Sequence, residues 1–475
     1  MRIVRSTILV AALLTLPIGA AAAQSSSAGH GARVAPTRAE VAARVDSLVG
    51  AFIAEPEAPG VSVSIVRAGH DTLVFKGYGK ADVENDVPAT PATVYRIGSI
   101  TKQFTAAAVM RLVERGSVHL DDPIGRYLPE LPGAWRPVRI RQLLNHTSGI
   151  PSYTDLGEAW ARRWGEYMPP DTLVALTANK PMDFEPGTGW RYDNTGYVLL
   201  GMLLEKVSGQ PYGAYLDSTM FRPLGLSNTR YCDRAPLIAH RSQGYQREGK
   251  VFTNAPYLDM SQPYAAGALC STVGDLARWD WLLATGKVVN QSSYTAMTSP
   301  QGIATLDRYG FGLVRDAVDS HVRITHGGGI NGFISSNAYF PDDSLSITVL
   351  ANAAPSDPDA LLTNIARVVF GIPLAKQTRA EDTVPLPDSI RAAVPGTYAL
   401  EVAGRELEMT VASDSSGVIA RATGQPEVSL IYLGDGTFGT RDEPSIRIHF
   451  VLENGRATRM TLEHGGVAGR GARVR

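Results

Sequence analysis

The sequence predicts an α+β fold: an antiparallel sheet flanked by helices with a helical subdomain, followed by a small C-terminal all-β domain of barrel type. Three observations predict it. Strand-like alternation appears near Val61 and again beyond Val322, and the text between is dominated by helical periodicity, so the sheet draws on both ends of that region. A polar stretch with two prolines, residues 376–388, then interrupts the chain. Beyond it, short runs alternate apolar and polar residues between regularly spaced turns, the pattern of a small barrel or sandwich.

In chain order, Arg2 and Arg5 precede an apolar run from Ile8 to Ala22 and the small residues Ala21, Ala22 and Ala23. This is the order of a secretory signal peptide over residues 1–23, cleaved after Ala23, and it predicts a periplasmic or secreted protein. A polar leader is expected over 24–39, and no later segment reads as an integral membrane span. The main domain is placed at 40–375. It opens with a hairpin in which Val61, Val63 and Ile65 alternate with Ser62 and Ser64, followed by a turn and the run TLVFKGYG. TKQFTAAAVMRLVERG then predicts a buried helix closed by Gly116, and TGYVLLGMLLEKVSG a second closed by Gly209. Strands return at VRITHGGG, NGFISSNAYF and LSITVLANA, and a helix through DALLTNIARVVFG stops at Gly371 and Pro373. After the linker at 376–388, the C-terminal domain at 389–475 carries Leu407, Met409 and Val411 in one alternating run and Ile446, Ile448, Phe450 and Leu452 in another.

A formal net charge of -1 on 475 residues gives no electrostatic reason to expect nucleic acid or an anionic membrane as partner. The nine histidines form no H-E-x-x-H or His/Cys cluster, so neither a metal nor another cofactor is expected. Cys232 and Cys270 are the only cysteines, either a disulfide formed on export or two small buried hydrophobes.

Chemistry concentrates in three places. Ser99 lies at the start of the first buried helix with Lys102 three residues on, so both occupy one helical face and the amine can reach the hydroxyl. The helix start adds a backbone N–H and a positive dipole end where an oxyanion would form. Tyr192-Asp193-Asn194 stands on a loop before the second helix, where a phenol could serve as general base and Asn194 could orient Lys102. The third is HGGGINGF, His326 to Phe333, which matches G-x-G-x-x-G by spacing but is followed by another strand rather than the helix a dinucleotide site requires. No nucleotide partner is therefore expected.

Taken in order, S-I-T-K, Y-D-N and H-G-G, with LLNHTSGIPSY, EPGTGWRYDNTGYVLLG, PLGLSNT and AAGALCSTVGDLARW, resemble the serine beta-lactamase-related family of class C beta-lactamases, D-alanyl-D-alanine carboxypeptidases, D-aminopeptidases and esterases. The resemblance covers roughly residues 40 to 372 and implies a beta-lactamase/transpeptidase-like fold. It makes Ser99 the nucleophile, Lys102 its activating partner, Tyr192 a general base and Asn194 polar support. His326-Gly327-Gly328 falls where the family usually has Lys-Thr-Gly, and Gly329 would supply an oxyanion N–H beside that of Ser99. Gly327, Gly328 and Asn331 are expected to contact substrate. Histidine in place of lysine removes a fixed cation for a substrate carboxylate. Arg323 is the nearest replacement but should face the other side of its strand. The resemblance implies an exported serine hydrolase that forms an acyl-enzyme with a small-molecule or peptide substrate, an ester, amide or peptide. The alternatives are a class C-like beta-lactamase and a non-catalytic penicillin-binding or sensory module. Whether Lys102 or Tyr192 deprotonates Ser99 stays open, as do two further roles: His146 as a structural or site residue, and Trp160, Trp164 and Tyr167 as cleft lining or lid packing.

Overall fold

The computed structural model describes residues 36–305, 307–374, 384–402, 405–414, 417–422, 427–440, 446–464 and 467–474. The expected signal peptide and all but the end of the leader lie outside the described residues, as does most of the expected linker. Thr37 opens a helix, Arg38–Ala54, through a capping box: its hydroxyl accepts from the Glu40 amide and the Glu40 carboxylate accepts from the Thr37 amide. The helix starts inside the expected leader, whose polar composition masked the T-x-x-E signal. Val41, Val45 and Val49 recur at helical spacing and are buried. They join the apolar side of the strand Gly60–Arg67 and the helix Pro358–Val369 in one core cluster.

Strands β1 (Gly60–Arg67), β2 (Asp71–Asp82) and β3 (Val87–Pro88) begin the main sheet. Three others come from later in the chain: β4 (Tyr95–Arg96), β5 (Arg230–Tyr231) and β8 (Leu269–Ser271) form a small separate sheet in the order β4-β8-β5. A second small sheet contains β6 (Tyr245–Glu248), β7 (Val251–Asn254) and β13 (Ala353–Ala354). The main sheet is completed by β9 (Val314–Val318), β10 (His321–Ile330), β11 (Phe333–Phe340) and β12 (Leu345–Ala351), giving the order β3-β2-β1-β12-β11-β10-β9. Antiparallel pairing of Val61 with Ala351 through Arg67 with Leu345 closes the sheet from the chain's two ends.

The alternation in β1 is not that of a half-exposed strand, because both faces are buried. Val61, Val63 and Ile65 pack beneath the terminal helices, while Ser62 and Ser64 face the helical side and donate to the Thr90 and Val273 carbonyls. A buried hydroxyl is tolerated because it is paired. On that side the helices Thr101–Glu114, Asn194–Ser208 and Val273–Ala284 share the largest core cluster. The second of these stops at Gly209, whose φ of +69° is the left-handed cap that glycine adopts without a Cβ penalty. No helix among the described residues is long and apolar enough to cross a membrane.

In the small sheet, Cys232 and Cys270 do come together, but as two free, buried thiols rather than as a disulfide. In the ladder Cys270 stands opposite Arg230 and the Cys232 amide bonds Ala268, so the two cysteines are diagonal neighbours. The C-terminal region, from Gly396–Val402 to Val467–Arg473, is a closed eight-stranded barrel with neighbours in sequence order. Its interior is filled by side chains such as Tyr398, Leu400, Met409, Phe438, Phe450 and Met460.

Between the main sheet and the helix Thr101–Glu114 lies a buried polar network. Asp280 accepts from Ser346 Oγ at 2.6 Å and Asn337 Nδ2 at 2.9 Å, while Gln103 joins Asn337 to the Trp279 indole. Burial pushes the Asp280 carboxyl up from 3.8 to about 7. Between those values the folded state keeps a proton that the unfolded chain has released, so the contribution of Asp280 to stability falls as pH rises through that window. Asp280→Asn keeps one acceptor oxygen and removes the titration. It should gain about 1–3 kcal/mol relative to wild type on going from about pH 5 to about pH 8. Urea denaturation at both pH values checks this; a pH-independent difference contradicts it.

Candidate active site

The approach to Ser99 is set by β4, which runs into a 3-10 turn at Gly98–Ile100 before the helix Thr101–Glu114. Gly98 has φ +50° and lies against β10: a Cβ there would come within 2.9 Å of the Gly329 nitrogen. Only glycine permits that approach. Ser99 itself is partly exposed, whereas Lys102, one turn on, is fully buried. Lys102 Nζ lies 2.8 Å from Asn194 Oδ1, 2.9 Å from the Ala266 carbonyl oxygen and 3.1 Å from Ser99 Oγ. Burial drives its amine well below the ordinary lysine range, and the Asp193 carboxylate pulls the other way.

The Tyr192-Asp193-Asn194 loop delivers three different groups to this amine. The Tyr192 ring centroid is 4.6 Å from Nζ, and its hydroxyl lies beside Ser99. Burial pushes the Tyr192 phenol up, with the Ser99 contact acting in the opposite sense. Asn194 accepts from Lys102 through Oδ1 and donates through Nδ2 to Thr154 Oγ1 at 3.1 Å, which fixes its amide orientation. Asp193 is buried, accepts from Ser148 Oγ at 3.1 Å, and is pushed up to about 7 by desolvation.

His326 lies beside the same group, with its ring 6.3 Å from that of Tyr192. Its Nδ1 is 2.6 Å from the Gly327 carbonyl oxygen, which can only accept, so Nδ1 carries the proton. Nε2 is then free to accept from the Tyr309 hydroxyl at 2.8 Å. Both nitrogens are engaged, and burial followed by the Lys102 charge pushes His326 down to about 3. The third motif therefore presents a neutral imidazole. Arg323 does not compensate, since it is buried against Asp316 at 2.7 Å and also pairs with Asp359.

The glycines after His326 divide into two kinds. Pairing of β10 with β9 ends at Thr325, so His326 to Ile330 bond only to β11 and leave one strand edge open. Gly327 and Gly329 are exposed, whereas Gly328 is buried and a Cβ there would come within 1.9 Å of the Ile97 carbonyl oxygen. Gly328 thus holds the nucleophile's turn against the sheet and does not line the open edge with its neighbours. Asn331 Nδ2 donates to the Pro256 carbonyl at 3.1 Å, tying the β10–β11 turn to a neighbouring loop.

The other sequence candidates resolve into supports. His146 is buried with φ +62°, accepts from the Asp193 amide at 3.0 Å, and packs 4.4 Å from the Tyr192 ring. Burial drives it well below the ordinary histidine range. Trp160 donates to Gln262 Oε1 at 2.7 Å and stacks edge-on against Tyr153 and Trp164, while Tyr167 is 75% exposed. Residues absent from the sequence-derived set include Asp193, Tyr309, Thr154 and the Ala266 carbonyl. Asp193 was visible inside Y-D-N; Tyr309 has no motif of its own and reaches His326 only through folding.

The sequence pattern of the Beta-lactamase family matches residues 45–370, which contain every group just described. The chain belongs to the Beta-lactamase family. Within it, the chain is 28% identical over 428 residues to penicillin-binding protein 4* of Bacillus subtilis (strain 168), covering 85% of this chain and 92% of that protein. Among solved structures it is similar to the octameric penicillin-binding protein homologue from Pyrococcus abyssi, with 26% identity, a TM-score of 0.64, and 90% and 99% of the two chains covered. It is also similar to the D-stereospecific amidohydrolase from Streptomyces sp., with 28% identity, a TM-score of 0.59, and coverage of 70% and 99%.

For this Beta-lactamase-family chain the geometry makes a prediction about His326. Its lowered pKa keeps the ring neutral from about pH 5 to about pH 8. The ring resonances assigned to His326 by comparison with His326→Gln should not shift over that range in an NMR titration. A titration midpoint near the ordinary value for histidine contradicts the hydrogen-bond assignment.

Proposed function

We propose that this protein is an exported serine hydrolase that opens ester, amide or peptide bonds through an acyl-enzyme on Ser99, with Lys102 as the base. The observation that carries this reading is the buried Lys102 amine, 3.1 Å from Ser99 Oγ and 2.8 and 2.9 Å from two carbonyl acceptors. A neutral amine has two N–H donors and one lone pair. Asn194 Oδ1 and the Ala266 oxygen can only accept, so they take the two donors and leave the lone pair for the Ser99 proton. Burial favours this uncharged form for Lys102 and keeps the proton on Tyr192, which supports the amine rather than the phenol as the base.

In the proposed reaction Lys102 takes the Ser99 proton as Oγ attacks the carbonyl carbon. The N–H groups of Ser99 and Gly329 hold the tetrahedral oxyanion. The Tyr192 hydroxyl, beside Ser99, hands a proton to the departing amine or alkoxide and is reprotonated from Lys102. Water then attacks the acyl-enzyme by the reverse relay and releases the acid. Loss of activity on the acid side follows protonation of Lys102, because the ammonium has no lone pair to offer.

The neutral His326 bears on substrate class. With both ring nitrogens engaged and Arg323 paired elsewhere, this site offers no fixed cation at the third motif, which supports esters and amides over substrates anchored there by a carboxylate. The similarity to a D-stereospecific amidohydrolase supports D-configured amides or peptides as the first class to test. Residues 1–23, with their basic start, apolar run and small residues, support export to the periplasm or beyond the cell.

Ser99→Ala should abolish labelling by a fluorophosphonate or penicillin probe that modifies wild type; equal labelling of both proteins sinks the nucleophile assignment. Lys102→Met should lower kcat by about 10²–10⁴-fold on p-nitrophenyl esters with KM changed far less. On a panel of D-amino-acid amides, D-Ala-D-Ala peptides, p-nitrophenyl esters and nitrocefin, turnover should favour amides and esters. A preference for nitrocefin would make the beta-lactamase alternative the better reading.

A further inference from the structure

We propose that Cys232 and Cys270 are a redox-modifiable dithiol, with Cys232 the attacking thiol and Cys270 the resolving one. Across the small sheet, Arg96 of β4, Cys270 of β8 and Arg230 of β5 stand in one register row, so their side chains leave the same face. Cys232 lies two residues beyond Arg230 and therefore joins that face. The two thiols share one small buried cluster with Val94, Met260 and Ala268, and Arg96 lies beside Cys232. Arg241 adds a further positive charge nearby. Arg96 and Arg241 favour the charged form of Cys232, while Arg230 and Arg96 act on Cys270.

The two sulfurs are not equivalent. The hydrogen bond from Cys270, then Arg96 and Arg241, hold the Cys232 thiol below its ordinary range, whereas burial pushes Cys270 up. Cys232 is thus the thiol more readily ionised, and it adjoins the surface segment, the arrangement of an oxidisable thiol beside its resolving partner. Both are buried, but Cys232 begins a surface segment in which Asp233 to Leu237 are all exposed, so local opening admits a small oxidant such as hydrogen peroxide. Attack of the Cys232 thiolate on peroxide gives a sulfenic acid and hydroxide. The Cys270 sulfur then attacks the sulfenic sulfur, its proton leaves with the hydroxyl as water, and a disulfide forms. Net, two thiols and one peroxide become one disulfide and two waters.

The position gives the modification its significance. The segment leading into β8 supplies the Ala266 oxygen to Lys102, and Leu269 of β8 bonds both Thr101 Oγ1 and the Ile97 amide. A Cys232–Cys270 cross-link would fasten the segment after β5 to β8, which directly follows the Ala266 carbonyl that holds the Lys102 amine.

The test uses the full chain, first reduced with dithiothreitol and then exposed to hydrogen peroxide. On unfolding in maleimide, wild type should have lost both thiols, with an intact mass lower by two hydrogens, and dithiothreitol should restore both. Cys270→Ala should accumulate a dimedone-reactive sulfenic acid on Cys232, while Cys232→Ala should keep Cys270 available to maleimide. Limiting iodoacetamide on folded wild type, mapped by mass spectrometry, should modify Cys232 about ten-fold faster than Cys270, an independent readout should either variant fail to fold. Retention of both thiols by wild type overturns the proposal. So does adduct formation on Cys270 rather than Cys232.

Discussion

The active site depends on one costly placement: a lysine amine held out of water beside a serine. An ammonium at that depth is strongly disfavoured, so the amine gives up its charge or is compensated. Here it is fully buried, bonded to two carbonyl oxygens, and neighboured by one carboxylate, that of Asp193, which is itself buried and partly neutralised by the same desolvation. Asn194, Ala266 and Asp193 belong to two distant parts of the sequence that meet only in the core. Much of the helical side of the fold serves to seat that amine.

The same low-dielectric pocket governs His326. Lys102 and burial act together on the imidazole, and the Gly327 carbonyl with the Tyr309 hydroxyl fixes its tautomer. Lysine at this position would place a second amine beside the first in the same desolvated pocket. With histidine, a single amine dominates the electrostatics, and the pocket's specificity must come from shape and from hydrogen bonds along the open edge of β10.

That edge is itself a packing consequence. Gly98 and Gly328 let the nucleophile's turn and β10 approach until backbone touches backbone, so the Ser99 and Gly329 amides lie on neighbouring segments. A side chain at either glycine would force the two apart and enlarge the gap in which a carbonyl oxygen has to fit. Burial of both faces of β1, with Ser62 and Ser64 paired to carbonyls, keeps the sheet fixed against the helices that carry Lys102 and Asn194.

Periodicity and turn residues in the sequence were enough to locate the hairpin, the two central helices, the strands around His326 and the C-terminal barrel. These features are set by local spacing and by glycine or proline at fixed positions. Motif order alone assembled Ser99, Lys102, Tyr192 and Asn194. The helix at Arg38–Ala54 escaped because its capping signal lay in polar text, and a motif does not say which of Gly327, Gly328 and Gly329 faces the nucleophile's turn. Only tertiary structure decided the tautomer and charge of His326, the supporting roles of His146 and Asp193, and the thiol pair at Cys232 and Cys270. Each depends on partners tens or hundreds of residues away, and on how much water the fold leaves around a titratable atom, which no local pattern encodes.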